Sequence, residues 1–315
     1  MDSISIIIVN WNSSVCLERC IQSITDMKKS TFLLEQIIIV DNASSVEDIK
    51  NLQRLHRNEP NIQIMYNDTN LGFAKACNVG AKGLNSDYLL FLNPDTILRN
   101  DTLEKCMIAF ANSKFHKDKI AVLGCKLEDE YGKTQRCCSR LPKLRYYIAK
   151  CLGINRIIKS LNQFMLEWDH EESRYVDEVM GAFFLTSGKV FRKLDGFDER
   201  FFVYYEEVDY CKRVKDAGFK VYYNSEASVY HEAGGSSKHV KAERLFYELR
   251  SRYQYQQKHN GQIGTWSIKV ITRLEYISRC ILLLITGKKK EISNVNKAYV
   301  LLEDWYNTQR NNKRK

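Results

Sequence analysis

The sequence is poor in chain-breaking residues, with 3 prolines and 15 glycines in 315 residues. That leaves no material for a collagen-like, mucin-like or linker protein, and no internal repeat of solenoid or propeller period is present. No Cys-x-x-Cys pair occurs among the 10 cysteines, which are scattered from Cys16 to Cys280. A zinc knuckle is therefore not expected, and a chain this long needs no disulfide staples. Signal-like and membrane-spanning segments are lacking too, since Ser3–Asn10 and Ile281–Ile285 fall far short of the roughly 20 apolar residues of a spanning helix. Reduced thiols and a cytoplasmic location are the expectation. There is also no G-x-G-x-x-G after the first apolar run and no G-x-x-x-x-G-K-[ST] anywhere, which argues against dinucleotide oxidoreductases and P-loop enzymes.

What is present is the balance of a folded soluble protein, 44 % hydrophobic and 27 % charged. At roughly 100–200 residues per domain the length suits one large domain or two ordinary ones. The net charge of +10 is unevenly placed: Ser236–Lys315 holds 17 basic and 6 acidic residues, and the rest is close to neutral. A near-neutral body with a basic end suits an anionic partner surface, membrane or nucleic acid; a solvated lysine-rich helical end is the plainer reading.

Apolar patterning alternates between strand and helix. Ile4–Val9 is a continuous β-branched run expected to be a strand buried on both faces. Val15–Ile24 follows at helical spacing, then a strand over Gln36–Val40, a helix over Val46–His56, a strand over Ile62–Tyr66, a helix over Phe73–Gly83 and a strand over Tyr88–Leu92. Such alternation predicts a mostly parallel sheet with flanking helices and a ligand at the carboxyl ends of its strands. Leu103–Ala111 is expected to be helical. Regularity then weakens over Glu128–Val176, which includes the basic stretch Lys143–Lys159 and is expected to be a mobile or acceptor-facing excursion. Glu178–Thr186 is strand-like, Leu194–Tyr223 is dense in polar and aromatic residues, and Lys241–His259 is a long helix. Ile268–Ile285 is amphipathic, with Ile268, Ile271, Leu274, Ile277, Ile281 and Ile285 opposed to Lys269, Arg273 and Arg279, a pattern that suits a membrane interface.

Three polar signals follow successive strands: Asn10–Asn12, Asp41-Asn42 and Asn93-Pro94-Asp95. Asp41 suits hydrogen bonding to a base or ribose, and Asp95 suits a hard cation that also holds nucleotide phosphates. Each alone is equally well explained as an ordinary turn residue. Without a phosphate-cradling glycine loop, diphosphate charge would fall to a metal and to basic side chains, with Asp95, His231 and Arg250 as candidates.

Seven stretches, in order, carry a resemblance: VNWN (9–12), VDNAS (40–44), NLGFAKACNVG (70–80), FLNPDT (91–96), GAFFL (181–185), GFDERFFVYYEEVDYCKRVKDAGF (196–219) and YHEAGGSS (230–237). The chain resembles glycosyltransferase family 2, in particular its bacterial rhamnosyltransferase-like members, over about Ser3–Asn260. The resemblance implies the GT-A fold, a Rossmann-like α/β domain over residues 1–260. Its nucleotide-sugar half would span about 1–125 and its acceptor half 126–260, followed by a basic helical tail over 261–315.

It further implies that Asp41 contacts the base with Asn10 and Asn12 nearby, and that Asn70, Gly72, Phe73, Asn78 and Asn93 line the donor with Arg250. Asn93-Pro94-Asp95 stands where the family carries Asp-x-Asp; the first residue here is Asn, which leaves one carboxylate. Asp95 and His231 would then hold a divalent cation, Mg or Mn. Glu206-Glu207 matches the acidic pair that supplies the base for inverting transfer, the second position being the expected base. Gly181, Ala182 and Asp209 fall on the acceptor side.

The activity expected is metal-dependent inverting transfer of a sugar, with rhamnose from dTDP-rhamnose favoured, onto a lipid-linked or polysaccharide acceptor in cell-surface glycan synthesis. A UDP-hexose or UDP-N-acetylhexosamine donor stays open. Expected partners are the nucleoside-diphosphate sugar, the lipid-linked or glycan acceptor and an anionic inner membrane face, without nucleic acid; a homodimer stays open. A nucleic-acid-binding protein using the basic end, and a degenerate transferase fold that binds nucleotide without turnover, are the readings from other classes.

Overall fold

The β-branched run Ile4–Val9 forms the middle of β1 (Asp2–Asn10), buried on both faces. It pairs in parallel with β2 (Phe32–Asp41) on one side and β4 (Tyr88–Leu92) on the other. The computed structural model describes residues 1–59, 62–115, 119–232 and 240–312. Two compact units are formed: Met1–Leu141 with Gln163–Glu199 and Glu206–Ser236, and Pro142–Asn162 with Arg200–Tyr205 and Ser237–Lys315.

The first unit is built on a nine-stranded sheet. The remaining strands in this unit are β3 (Ile62–Tyr66), β5 (Thr96–Leu98), β6 (Ile120–Glu128), β7 (Cys138–Ser139), β8 (Arg174–Val176), β9 (Glu178–Val179), β10 (Phe183–Ser187) and β11 (Lys220–His231). The order is β3-β2-β1-β4-β10-β6-β11-β5, with β8 on β11, while β7 and β9 form a separate two-stranded sheet. From β3 to β4 every pairing is parallel; β10 runs antiparallel to both β4 and β6. Strand order reverses between β1 and β4, so a crevice opens at their carboxyl ends, where open α/β sheets bind ligands.

The helices α1 (Ser14–Asp26), α2 (Val46–Asn58), α3 (Phe73–Ala81) and α4 (Thr102–Phe115) match the helices expected from spacing. In α3 the absence of a side chain at Gly80 sets the helix–sheet distance. A Cβ there would stand 2.6 Å from Ile7 Cγ2 and 2.9 Å from Val40 Cγ2. Two short helices, α6 (Gly188–Lys193) and α7 (Glu206–Asp216), complete the unit.

One expectation is corrected. Glu178–Thr186 is not one strand: β9 ends at Val179 and β10 starts at Phe183, with Met180–Ala182 turning between them. Glu128–Val176, where sequence regularity weakens, contributes β7 and β8 to the first unit and α5 (Leu144–Cys151) to the second.

The second unit consists mainly of α5, α8 (Lys241–Ile285) and α9 (Lys289–Asn312). Within α8 only Gly261 departs from helical geometry, at φ 60° and ψ −148°. Its interior includes the Arg252 guanidinium, which bonds Glu275 at 2.6 Å and Glu248 at 3.0 Å. The apolar stripe of Ile268–Ile285 is divided: Ile268 and Ile271 are core residues packed with Tyr147 and Tyr253, whereas Leu274, Ile277, Ile281 and Ile285 are exposed. Packing against α5 claims the first turns of the stripe and stops short of the last. No helix among the described residues is long and apolar enough to cross a membrane.

Candidate active site

At the carboxyl ends of β1 and β2, Asn10 and Asp41 lie side by side in register. The buried Asn10 amide donates to Asp41 Oδ1 (2.9 Å) and Asp48 Oδ2 (2.7 Å), with Ser44 Oγ at 3.2 Å. Asp41 also accepts from the Ser44 N–H at 3.1 Å. Asp48 takes the Ser14 N–H at the start of α1 with its other oxygen, at 2.9 Å, so one carboxylate ties together β1, α1 and α2. The amide oxygen of Asn10 is buried without a hydrogen-bond partner among the described atoms. Leaving such an acceptor unpaired costs about 1–3 kcal/mol, which a ligand N–H placed there would remove. Asn12, at φ 53°, is exposed and caps the next turn, its Oδ1 accepting from the Ser45 N–H at 2.8 Å.

Asn42 joins this edge to the segment before α3. Its amide donates to Asn70 Oδ1 (2.9 Å) and its oxygen accepts from the Leu71 N–H (2.9 Å). Asn70 also accepts the Gly72 N–H at 2.9 Å, and Gly72 turns into α3 at φ 82°, a region open to glycine. Phe73, the first residue of α3, is half-buried against the core. Asn78 is committed elsewhere. Its side chain bonds both the N–H (2.9 Å) and the C=O (2.8 Å) of Phe197, so it pins the 196–199 turn.

Asp95 and His231 are brought together by strand pairing. Leu92 ends β4, Asn93 donates its N–H to Ala182 C=O at 3.0 Å, and Thr96 opens β5, which pairs with β11 so that Thr96 faces His231. The Glu232 N–H then donates to Asp95 C=O at 3.0 Å. As a result His231 Nε2 lies 3.7 Å from Asp95 Oδ1, too far for a hydrogen bond. Gln135 fixes the imidazole: its amide N–H bonds the His231 C=O (2.8 Å), which leaves its oxygen to accept from Nδ1 (2.9 Å). Burial lowers the His231 pKa, against the opposing pull of Asp95, and favours the neutral ring. A lone pair on Nε2 therefore faces a carboxylate oxygen, an arrangement that a cation between them relieves. Among the described residues no group of three or more His, Cys, Asp or Glu side chains stands ready for a metal. The pair fits a divalent ion of the kind held by one or two protein groups plus substrate phosphate oxygens.

The acidic pair opens α7. Glu206 is buried and Glu207 half-buried. Burial first, and then the neighbouring charge of Glu207, push the Glu206 carboxyl well above the usual range. Glu178 on β9 is another buried carboxyl, bonded by the Ser139 hydroxyl and pushed up to about 8 by burial and then by Glu207. Asp209, one turn on, is fully buried and pairs with Arg213 Nε at 2.8 Å. The Arg213 guanidinium also holds the C=O groups of Leu194 (2.6 Å) and Gly196 (2.7 Å), so Asp209 anchors the turn that Asn78 pins from the other side. Gly181 faces open space, and Ala182 is buried beside Asn93.

Thus the structure gathers Asn10, Asn12 and Asp41 at one strand edge, and Asn93, Asp95 and His231 at another, with Gly181–Ala182 beside Asn93. Arg250 belongs to the second unit, where its guanidinium carbon lies 5.5 Å from the Trp305 ring centroid. Residues 233–237 of the last motif lie outside the described residues. Sequence reasoning missed Ser44 and Asp48, Gln135, and Glu178. An acid two residues into the second helix was a visible signal for Asp48; Gln135 sits in a stretch without periodicity and offered none.

Residues 5–125 match the family model for Glycosyl transferase family 2. Rhamnosyltransferase WbbL of Escherichia coli is 29% identical over 175 residues, 54% of this chain and 61% of that protein. This chain therefore spans less than two thirds of that relative. An N-acetylglucosaminyl-diphospho-decaprenol L-rhamnosyltransferase of Mycobacterium tuberculosis is 24% identical over 277 residues, 82% of this chain and 86% of that protein. Among solved structures, the mannosyltransferase PcManGT from Pyrobaculum calidifontis in complex with GDP-Man and Mn2+ superposes with a TM-score of 0.56 at 11% identity, covering 95% of this chain and 86% of that one. At that identity the likeness speaks for the fold, which is GT-A.

Proposed function

We propose, for a chain whose residues 5–125 match the model for glycosyl transferase family 2 and which resembles rhamnosyltransferases, that it is a glycosyltransferase acting by inverting displacement at the carboxyl edge of the β1–β4 crevice. The observation that carries this reading is the Asp95–His231 pair, two lone-pair groups held 3.7 Å apart by strand pairing beside that crevice. A nucleoside-diphosphate sugar would place its base against Asp41 and the orphaned Asn10 oxygen, and its diphosphate toward Asp95. A divalent ion, when bound there, neutralises charge that grows on the departing diphosphate.

Glu207 is the base in this account. It is the more accessible of the acidic pair, while Glu206 is buried and favours its protonated form. As an acceptor hydroxyl oxygen attacks the anomeric carbon opposite the diphosphate, Glu207 takes the hydroxyl proton and the sugar–diphosphate bond breaks. Similarity to two rhamnosyltransferases supports dTDP-rhamnose as the donor. The mycobacterial relative, an N-acetylglucosaminyl-diphospho-decaprenol L-rhamnosyltransferase, supports a lipid-linked acceptor. A basic second unit with exposed Leu274, Ile277 and Ile281 supports peripheral residence on an anionic leaflet.

The test is nucleoside diphosphate release from a panel of dTDP- and UDP-sugars with Mg or Mn. Release from dTDP-rhamnose, lost in Asp95→Ala, is expected. Release from a UDP-sugar alone would replace the donor, and no release from any sugar even with a lipid-linked acceptor present would reject the activity.

A further inference from the structure

The basic stretch over 143–159 is left unused by this account. Between Tyr131 and Leu166 the sequence has eight basic residues and no acidic one. Five of them, Lys143, Arg145, Lys150, Arg156 and Lys159, fall in the segment of the second unit that contains α5. One face of α5 is spent on packing, since Tyr146, Tyr147 and Ala149 are buried, with Tyr147 against Ile268 and Ile271 of α8. The other face presents Ile148 and Leu152, four residues apart and so one above the other, and the chain continues into Ile157 and Ile158. Leu152 is 66% and Ile157 86% exposed, values unusual for residues whose burial is favourable by about 1.5–3 kcal/mol each. Lys143, Arg145, Lys150, Arg156 and Lys159 are themselves exposed around these apolar residues.

We infer that residues 148–158 form a second membrane-inserting element, which places Ile148, Leu152, Ile157 and Ile158 among the acyl chains of an anionic leaflet and its lysines and arginines at the headgroups. The inference deepens the peripheral location proposed above and rests on it. Charge decides the occupant: an acid-free basic segment around bare aliphatic side chains complements a surface that is negative outside and apolar beneath. A second copy of the chain would bring the same positive charge to the same place. Lys150 also reaches Glu275 of α8 at 3.1 Å, so α5 lies beside the stretch that carries the exposed Leu274 and Ile277. The two apolar elements are neighbours within one unit.

The experiment is co-sedimentation of the full chain with vesicles of phosphatidylcholine alone or mixed equally with phosphatidylglycerol, with no sugar nucleotide present. Wild type is expected to pellet with the mixed vesicles only, and the Ile157→Asp/Ile158→Asp double variant to bind about tenfold more weakly. Leu33→Asp, an exposed apolar position of the first unit, is expected to bind as wild type. Ile157→Trp is expected to gain fluorescence quenching by brominated lipids relative to wild type. Unchanged binding of the double variant, or no added quenching from Ile157→Trp, overturns the inference, as does a wild-type dimer that the double variant splits. Sugar-nucleotide turnover is read separately on the same proteins in solution. A chain that turns over donor but binds no vesicle loses this inference alone; one that binds vesicles but turns over nothing loses the transferase reading alone.

Discussion

At the residue scale, the acidic groups near the start of α7 differ in what burial has done to them. Glu206 is inside and favours its proton, whereas Glu207 is half-buried and is the base in the proposed mechanism. Removing the charge of Glu207 by Glu207→Gln is expected to lower turnover by about 10²–10⁴-fold, the usual contribution of a general base. Glu206→Gln copies the protonated form and is expected to stay within about tenfold of wild type. Steady-state nucleoside diphosphate release separates the two, and equal losses would contradict the assignment. Glu178 gives an independent stability test. Its carboxyl pKa is raised to about 8 in the fold. The folded state therefore binds more protons than the unfolded one between the ordinary carboxyl range and that value, and stability falls as pH rises through this window. Glu178→Gln removes the penalty. It is expected to match wild type near pH 4, then to exceed it by a margin that grows to roughly 1–3 kcal/mol near pH 9, read from urea midpoints.

At the scale of elements, α3 lies close against β1 and β2 in the first unit. Gly80→Ala would push a methyl carbon into Ile7 and Val40, and is expected to cost about 1–3 kcal/mol by urea unfolding without loss of the helix signal. An unchanged midpoint would mean that the helix moves away freely.

The same helix shows why the amino-terminal half was legible. Its β1 and β4 are buried on both faces and its helices on one, so period and polarity agree, and β3 and β4 fall on the residues that spacing marked. Beyond Ala111 the agreement fades. β11 runs KVYYNSEASVYH, in which tyrosines, serines and a glutamate obscure any apolar run. β9 and β10 are parted by a three-residue turn that no Pro or Asn announces. At the site, Asp41, Asp95 and the acidic pair stood out by position after strands and by motif. Gln135 and Glu178 act through tertiary contacts with His231 and Ser139, and such contacts leave no local trace. Asn78 and Asp209 illustrate the converse: both sit in motif stretches, yet their side chains hold the 194–199 turn.

At the scale of the whole molecule, a near-neutral sequence through Gly235 is joined to an end that holds an excess of positive charge. Surface charges act over about 8 Å at physiological ionic strength, so vesicle binding should weaken steeply with added salt while sugar-nucleotide turnover in solution changes little. Co-sedimentation and turnover across a salt series check this, and a parallel loss of both would contradict it.

The central claim is that Asp95 and His231 hold a divalent ion together with a nucleoside diphosphate at the carboxyl edge of the sheet. Calorimetric titration of dTDP into the protein, with and without Mn, tests it without needing the acceptor or the sugar. Binding that appears with Mn, and is at least about tenfold weaker in both Asp95→Ala and His231→Ala, is the predicted result, since each replacement removes a charge-assisted contact of about 1.5–3 kcal/mol. Binding of equal strength without the metal, or unchanged in either variant, would contradict the account.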